Sequence, residues 1–293
     1  MEILNSVLVT GAFMAVLGGL LAFFLAIADK RLYVYEDPRI GEVEELLPHS
    51  NCGACGTAGC RNFAERVVLG QIEPGSCTVN TSDQNEKIAD LLGVAMGDVE
   101  KRVARLACAG GKHVAKMRAQ YSGLSSCRAA TMAGGGGKSC SWGCLGLGDC
   151  ADVCEFGAIK MDAQGLPVVD LVKCTACGDC VDICPKNLFS IHGVTHKLWM
   201  ACRSQADGDT AEASCEVACT ACGRCVVDAA PGLIHLENNL AVIDYARNDS
   251  ASREAIERCP TGAIVWLEGD RISKGKAAKK IIRIEPLPVT VEA

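Results

Sequence analysis

The chain opens on an unbroken apolar run. Ile3 to Ala28 is 26 residues without a charge, built from Leu, Val, Ala, Phe and Gly. That exceeds the roughly 20 residues needed to cross a hydrocarbon core. Glu2 precedes the run, and Asp29, Lys30 and Arg31 follow it. The positive-inside rule then puts the N-terminus outside and the remainder in the cytoplasm. A cleaved signal peptide is the competing reading, with Ala26-Ile27-Ala28 as its cleavage-like stretch. It lacks a basic leader, and the apolar run is too long for it. The expectation is a single-pass anchor in the bacterial cytoplasmic (inner) membrane. Gly11, Gly18 and Gly19 either admit a neighbouring helix or are ordinary glycines of a membrane helix.

Beyond residue 30 the pattern breaks into short pieces. Helices are expected over 41–47, 61–69 and 83–96. The last has Ser82 as N-cap and an apolar face of Ile88, Leu91 and Leu92. Strands are expected over 103–108, 166–169 and 264–267, and the glycine run 134–137 reads as a hinge or loop. The fold class is α+β. Its divisions are an anchor (1–30), a small N-terminal domain (31–108), two ferredoxin-like modules (109–195 and 196–268) and a basic tail (269–293). Arg271, Lys274, Lys276, Lys279, Lys280 and Arg283 make the tail basic, and it is read as solvated, with anionic lipid or an acidic redox partner as the alternative.

Cysteine changes the picture. The chain of 293 residues holds 20 Cys but only 5 His, and aromatics are 4%. A net charge of −6 argues against general nucleic-acid binding. Cys174-Thr-Ala-Cys177-Gly-Asp-Cys180-Val-Asp-Ile-Cys184-Pro185 is C-x2-C-x2-C-x3-C-P, the bacterial ferredoxin run for [4Fe–4S]. Three of its thiolates face one cubane and the fourth turns to a neighbouring one, so a partner run is required. Disulfide scaffolds do not need this spacing, and zinc sites rarely chain cysteines in this way.

Three further groups surround it. Cys52, Cys55, Cys60 and Cys77 form C-x2-C-x4-C-x16-C around one helical excursion, a complete four-thiol site. Cys140, Cys144, Cys150 and Cys154 form a modified run, with Leu147 where the middle cysteine belongs and Cys140 as its substitute. Pairing by the ferredoxin rule gives one set of Cys140, Cys144, Cys150 and Cys184, and another of Cys154, Cys174, Cys177 and Cys180. The third group is Cys219, Cys222, Cys225 and Cys259. Its partner cubane has lost every ligand slot (Ala229, Asp249, Ser252 and Ala255), so the second module should carry one cluster. These sixteen cysteines predict four [4Fe–4S] clusters. Cys108, Cys127, Cys202 and Cys215 remain as buried or unpaired thiols. The alternative is a fifth cluster or an exchange of ligands involving Cys140 and Cys215. Cys127-x12-Cys140-x3-Cys144 repeats as Cys202-x12-Cys215-x3-Cys219, which marks an internal repeat.

No Ser/His/Asp set or nucleotide fingerprint accompanies these groups. Gly137-Lys138-Ser139 imitates the end of a phosphate loop, but Met132 stands where its first glycine belongs. Catalytic residues are therefore not expected in this chain.

The order of features resembles one family: the apolar helix, Tyr35-Glu-Asp-Pro-Arg39, Asn51-Cys-Gly-Ala-Cys-Gly56, Gly143-Cys-Leu-Gly-Leu-Gly-Asp-Cys150, then the runs at Cys174 and Cys219. Nearly the whole chain resembles the B subunit of the Rnf electron-transport complex. The resemblance implies a subunit of a ferredoxin:NAD+ oxidoreductase and ion translocase. It would accept electrons from reduced soluble ferredoxin and pass them toward NAD+ reduction, coupled to Na+ or H+ translocation with other membrane subunits as partners. A membrane-anchored polyferredoxin of another redox enzyme, without ion pumping, is one alternative. A structural zinc protein is the other.

Overall fold

A computed structural model describes residues 2–32, 35–97 and 99–289 of the chain. Helix α1, Glu2–Leu32, is continuous across the apolar run. Its stretch Val7–Leu32 is long and apolar enough to cross a membrane, and none of its most apolar window is buried against the protein. An aqueous domain would cover such a surface, so the helix is built for an apolar surrounding.

The N-terminal domain is three helices around a small core. Helix α2, Pro38–Glu45, starts at a proline, where no backbone N–H is missed, and Asp37 caps it. Helix α3 spans Cys60–Val68, and α4 spans Ser82–Leu92. The cap of α4 is Thr81, one residue before the expected Ser82. It forms a reciprocal capping box with Gln84, and Gly93 in the left-handed region ends the helix at Leu92. Ile40, Val43, Phe63, Val67 and Ile88 fill the core. Arg61 ties α3 to Glu44 at 2.5 Å and also to Glu36.

Two α+β modules follow. Strand β1 (Arg102–Leu106) pairs antiparallel with β4 (Phe189–Gly193), although it lies upstream of the sequence-based boundary at 109. Between them come helices α5 (Cys127–Met132) and α6 (Asp149–Asp152), the hairpin β2 (Ile159–Met161) and β3 (Pro167–Val169), and helix α7 (Asp179–Ile183). The second module repeats the plan. Strand β5 (Leu198–Met200) pairs with β8 (Ile264–Glu268), which carries β9 (Arg271–Ser273) on its other edge. Inside lie α8 (Gly208–Ser214), α9 (Arg224–Asp228), the hairpin β6 (Ile234–Glu237) and β7 (Leu240–Ile243), and α10 (Glu254–Glu257).

Two expectations change. The glycine run 134–137 is a tight structural turn. All four glycines have positive φ, and a Cβ on Gly137 would collide with the carbonyl of Ala119. The tail is not simply solvated. Ala277 and Lys279 donate to the carbonyls of Glu257 and Pro260, and Leu287 donates to Lys112. Arg283 then reaches the carbonyl of His113 and the carboxylate of Glu216, each at 2.9 Å. Residues 275–287 thus strap the second module to the first.

Candidate metal centres

Each cysteine run is held by backbone that ordinary side chains resist. In Cys174-Thr-Ala-Cys177-Gly, Ala176 and Gly178 have positive φ; Ala221 and Gly223 repeat this in the second module. The left-handed residue curls the run so that successive thiols converge instead of alternating. Asn51 and Gly53 do the same in the N-terminal domain, where the Asn51 side chain accepts from the N–H of Cys60 at 2.8 Å.

The thiols converge on separate cavities. Cys52, Cys55, Cys60 and Cys77 line one of about 310 Å³, counting space open to solvent. Cys154, Cys174, Cys177 and Cys180 line another of about 320 Å³. Cys219, Cys222, Cys225 and Cys259 line a third of about 330 Å³. In each, the four cysteines brought together are those grouped by spacing.

The remaining group is rearranged. Cys140 does not join Cys144, Cys150 and Cys184. Cys127 does, around a cavity of about 390 Å³. The cause is local. Leu147 cannot supply a thiolate, and the sulfur of Cys127 comes in from α5 to accept hydrogen bonds from the backbone at Leu147, Gly148 and Asp149. Asp149 fixes this approach, because its carboxylate accepts from the Cys127 N–H at 2.8 Å and from the Ser126 hydroxyl at 3.0 Å. Cys140 lies instead with Cys108, Cys202 and Cys215 around a fifth cavity of about 330 Å³.

The partner cubane of the second module has no cavity of this kind among those described. Ala255 is 1% exposed, and Leu233, Ile243 and Ile256 pack beside it, with Ala229 against them. Asp249 and Ser252 face solvent. Ordinary core occupies the place where a cluster would stand.

The donor set suits iron–sulfur clusters. Backbone N–H groups donate to sulfur: Ala104 to Cys174 and Ala158 to Cys154 at 3.4 Å, and Leu188 to Cys184 at 3.5 Å. Such bonds stabilise sulfur that carries negative charge. Burial pushes the thiols of Cys144, Cys150, Cys180 and Cys225 up to about 12, with neighbouring cysteines adding to the shift. Four crowded thiols in an apolar wall ionise only when a cationic centre compensates them. Among the described residues, no group of three or more His, Cys, Asp or Glu is placed to hold a single metal ion. The iron–sulfur reading rests on the spacing of the runs and on the amides directed at their sulfurs.

Short bonds join neighbouring centres. Thr78, next to Cys77, donates to the carbonyl of Thr175 at 2.6 Å, beside Cys174. Arg102 donates to the carbonyl of Ala54 at 3.3 Å. The paired helices α6 and α7 join the two sets of the first module, bringing Cys150 close to Cys180.

Known proteins agree with this chemistry. The family model "Putative Fe-S cluster" matches residues 47–79, and a 4Fe-4S dicluster domain matches residues 139–188. The chain is 39% identical over 279 residues to the B subunit of the Na(+)-translocating ferredoxin:NAD(+) oxidoreductase complex of Acetobacterium woodii, covering 95% of this chain and 82% of that protein. It is 37% identical to the B subunit of the proton-translocating complex of Clostridium ljungdahlii, over 89% of this chain and 93% of that one. It is also 37% identical to the B subunit of the ion-translocating oxidoreductase complex of Methanosarcina acetivorans, over 89% and 99%. The chain therefore belongs to the family of B subunits of the ion-translocating ferredoxin:NAD+ oxidoreductase, or Rnf, complexes.

Proposed function

We propose that the chain is the electron-carrying subunit of such a complex, accepting electrons from reduced ferredoxin and passing them toward NAD+ reduction coupled to Na+ or H+ translocation. The observation that carries this reading is the succession of four-thiol cavities from the N-terminal domain to the second module. The residues present fit [4Fe–4S] clusters, which supply one-electron transfer when bound. The chain's part is to hold and tune them. Its thiolates anchor iron, its backbone amides donate to sulfur, and its apolar walls keep water off.

The C-terminal cavity carries the most exposed cysteine. Cys222 is exposed, whereas the other described cysteines are buried or half-buried. A soluble donor can approach closely there. Helix α1 holds the centres at the membrane beside partner subunits, with the cluster domains on the cytoplasmic side. Its core carries no ionisable residue, so ion passage through this helix is not expected.

Inverted membrane vesicles supplied with reduced ferredoxin test the reading. Ferredoxin-dependent NAD+ reduction with Na+ or H+ uptake, lost when Cys174 and Cys177 are replaced by Ala, supports it. A chain that purifies with no other membrane subunit, from vesicles lacking that activity, indicates an anchored polyferredoxin of another redox enzyme. A colourless zinc protein removes the electron-carrying role altogether.

A further inference from the structure

We propose that Cys108, Cys140, Cys202 and Cys215 hold a fifth [4Fe–4S] cluster at the seam between the two ferredoxin-like modules, and that Cys127 completes the neighbouring set with Cys144, Cys150 and Cys184. This deepens the electron-carrying reading and rests on it.

The site is built from equivalent positions of the two modules. Ala107 N–H donates to Leu188 O, and Ala201 N–H donates to Ala263 O, each at 2.8 Å. Leu188 lies four residues after Cys184, and Ala263 four residues after Cys259, so the two bonds are counterparts. Cys108 and Cys202 each follow the donor by one residue. Cys140 and Cys215 each precede the first cysteine of their module's run, Cys144 or Cys219, by four. Each module thus contributes two thiols, and neither makes the site alone. The register is locked by Ala109 N–H donating to Ala201 O at 2.9 Å, and by Lys116 N–H donating to Ser214 O at 3.0 Å.

The four thiols could simply be small core residues. Three observations oppose that. First, they line a cavity of about 330 Å³, counting space open to solvent, the same size as the one on which the C-terminal set converges. Second, Gly110 leaves room for it; a Cβ there would lie 3.1 Å from the Cys215 sulfur and 3.6 Å from that of Cys108. Third, Lys138 lines the cavity and is only 7% exposed. Its ammonium donates to the carbonyls of Gly110 and Cys144, each at 2.5 Å, and no carboxylate pairs with it among the described residues. A buried cation requires a nearby anion, and four thiolates on an iron–sulfur core supply one.

The location is also what a continuous wire needs. The N–H of Cys144, in the first module's set, donates to the sulfur of Cys108 at 3.4 Å. The N–H of Cys219, in the second module's set, donates to the sulfur of Cys202 at 3.4 Å. Without an occupant here, the C-terminal centre stands apart from the others, because its own partner cubane has been lost.

Iron counting on the full chain, purified anaerobically in detergent and reconstituted with iron and sulfide, tests the assignment. Five sets require about 20 iron per chain, against about 16 for four. Cys202→Ala/Cys215→Ala should lower the count to about 16, and adding Cys140→Ala should lower it no further, because all three belong to one site. EPR of the dithionite-reduced variants should keep the signals of the other centres, which reports that the fold survives. An unmodified chain that holds about 16 iron, or about 16 iron with one zinc, overturns the fifth cluster while the electron-carrying reading stands. A further loss of about four iron on adding Cys140→Ala overturns the rearranged ligand sets. A chain that binds no iron overturns both.

Discussion

Asn248 is the sharpest single test of how the second module stands without its second cubane. It lies on the segment where ligands of that cubane are missing and is 4% exposed. Its side-chain oxygen accepts from the N–H of Lys197 at 2.9 Å and of Leu198 at 3.2 Å, and its amide nitrogen donates to Leu198 O at 2.8 Å. One amide therefore staples the start of β5 across fifty residues of chain. In Asn248→Ala all three bonds go, and the Leu198 groups stay buried. At about 1 kcal/mol per bond, with buried partners left unsatisfied, the cost is about 3 kcal/mol. The assay is native-state hydrogen exchange followed by mass spectrometry on the full chain. For about 3 kcal/mol, amides of β5 and β8 should exchange roughly a hundredfold faster, while those of α4 keep their wild-type rate. Acceleration below about threefold, or an equal effect in α4, would refute the view that this amide substitutes for lost cluster ligation.

Other perturbations separate the remaining claims. Cys259→Ala should remove about four iron and leave the centres of the first module spectroscopically intact. Lys138→Met removes the cation beside the seam; the midpoint of one EPR-detected centre should fall by about 60 mV, a tenfold change for one electron, while the others hold. His192 packs with its ring centroid 4.2 Å from that of Tyr245 and 4.9 Å from that of Trp199. Burial, with His196 and Arg105 nearby, pulls it from 6.5 down to about 4. The folded chain then refuses a proton that the unfolded chain accepts, so this stability is present above about pH 6.5 and fades as pH falls toward 4. Half-exposure limits the loss at pH 5 to about 1–2 kcal/mol, and urea titrations of His192→Phe should lack it. Gly137→Ala meets both a positive φ and the Ala119 carbonyl, so it should destabilise the first module by about 2 kcal/mol in the same titration.

Much of this architecture is legible because thiol ligation is written in short spacings. Ala176 and Ala221 occupy the same slot of two Cys-Thr-Ala-Cys runs, and the backbone curls alike at both. The apolar helix and the hairpin at 166–169 are similarly local. What spacing cannot convey is a donor arriving from outside the run. Cys127 reaches the backbone at Leu147 from a separate helix, and its only trace in the sequence is Asp149, an acidic residue able to cap that helix. Cys140 is nearer in sequence, so spacing alone favours it, whereas the cavity groups Cys127 with Cys144, Cys150 and Cys184. The repeated x12 and x3 spacings also set Cys127 against Cys202. Strand pairing sets Cys108 against Cys202 instead, because β1 and β5 are the equivalent strands; the equal x12 spacing is coincidence, while the equal x3 spacing reflects the matching places of Cys140 and Cys215. The tail escaped for another reason. Its basic side chains read as a solvated surface, yet backbone amides and Arg283 do most of the binding, and backbone bonds carry no compositional signature.

The strap formed by residues 275–287 has a consequence for biogenesis. Translation delivers both modules before this segment leaves the ribosome. Until then, the face that Arg283 and Leu287 later cover stays open, and the seam between the modules is free to part. Docking of the strap then ties Lys112 and His113 of the first module to Glu216, Glu257 and Pro260 of the second. A chain released early would keep every cysteine and still lack the clasp, so a stop codon at position 275, which spares β9, should yield a protein that acquires iron but sheds it from the seam under dilution.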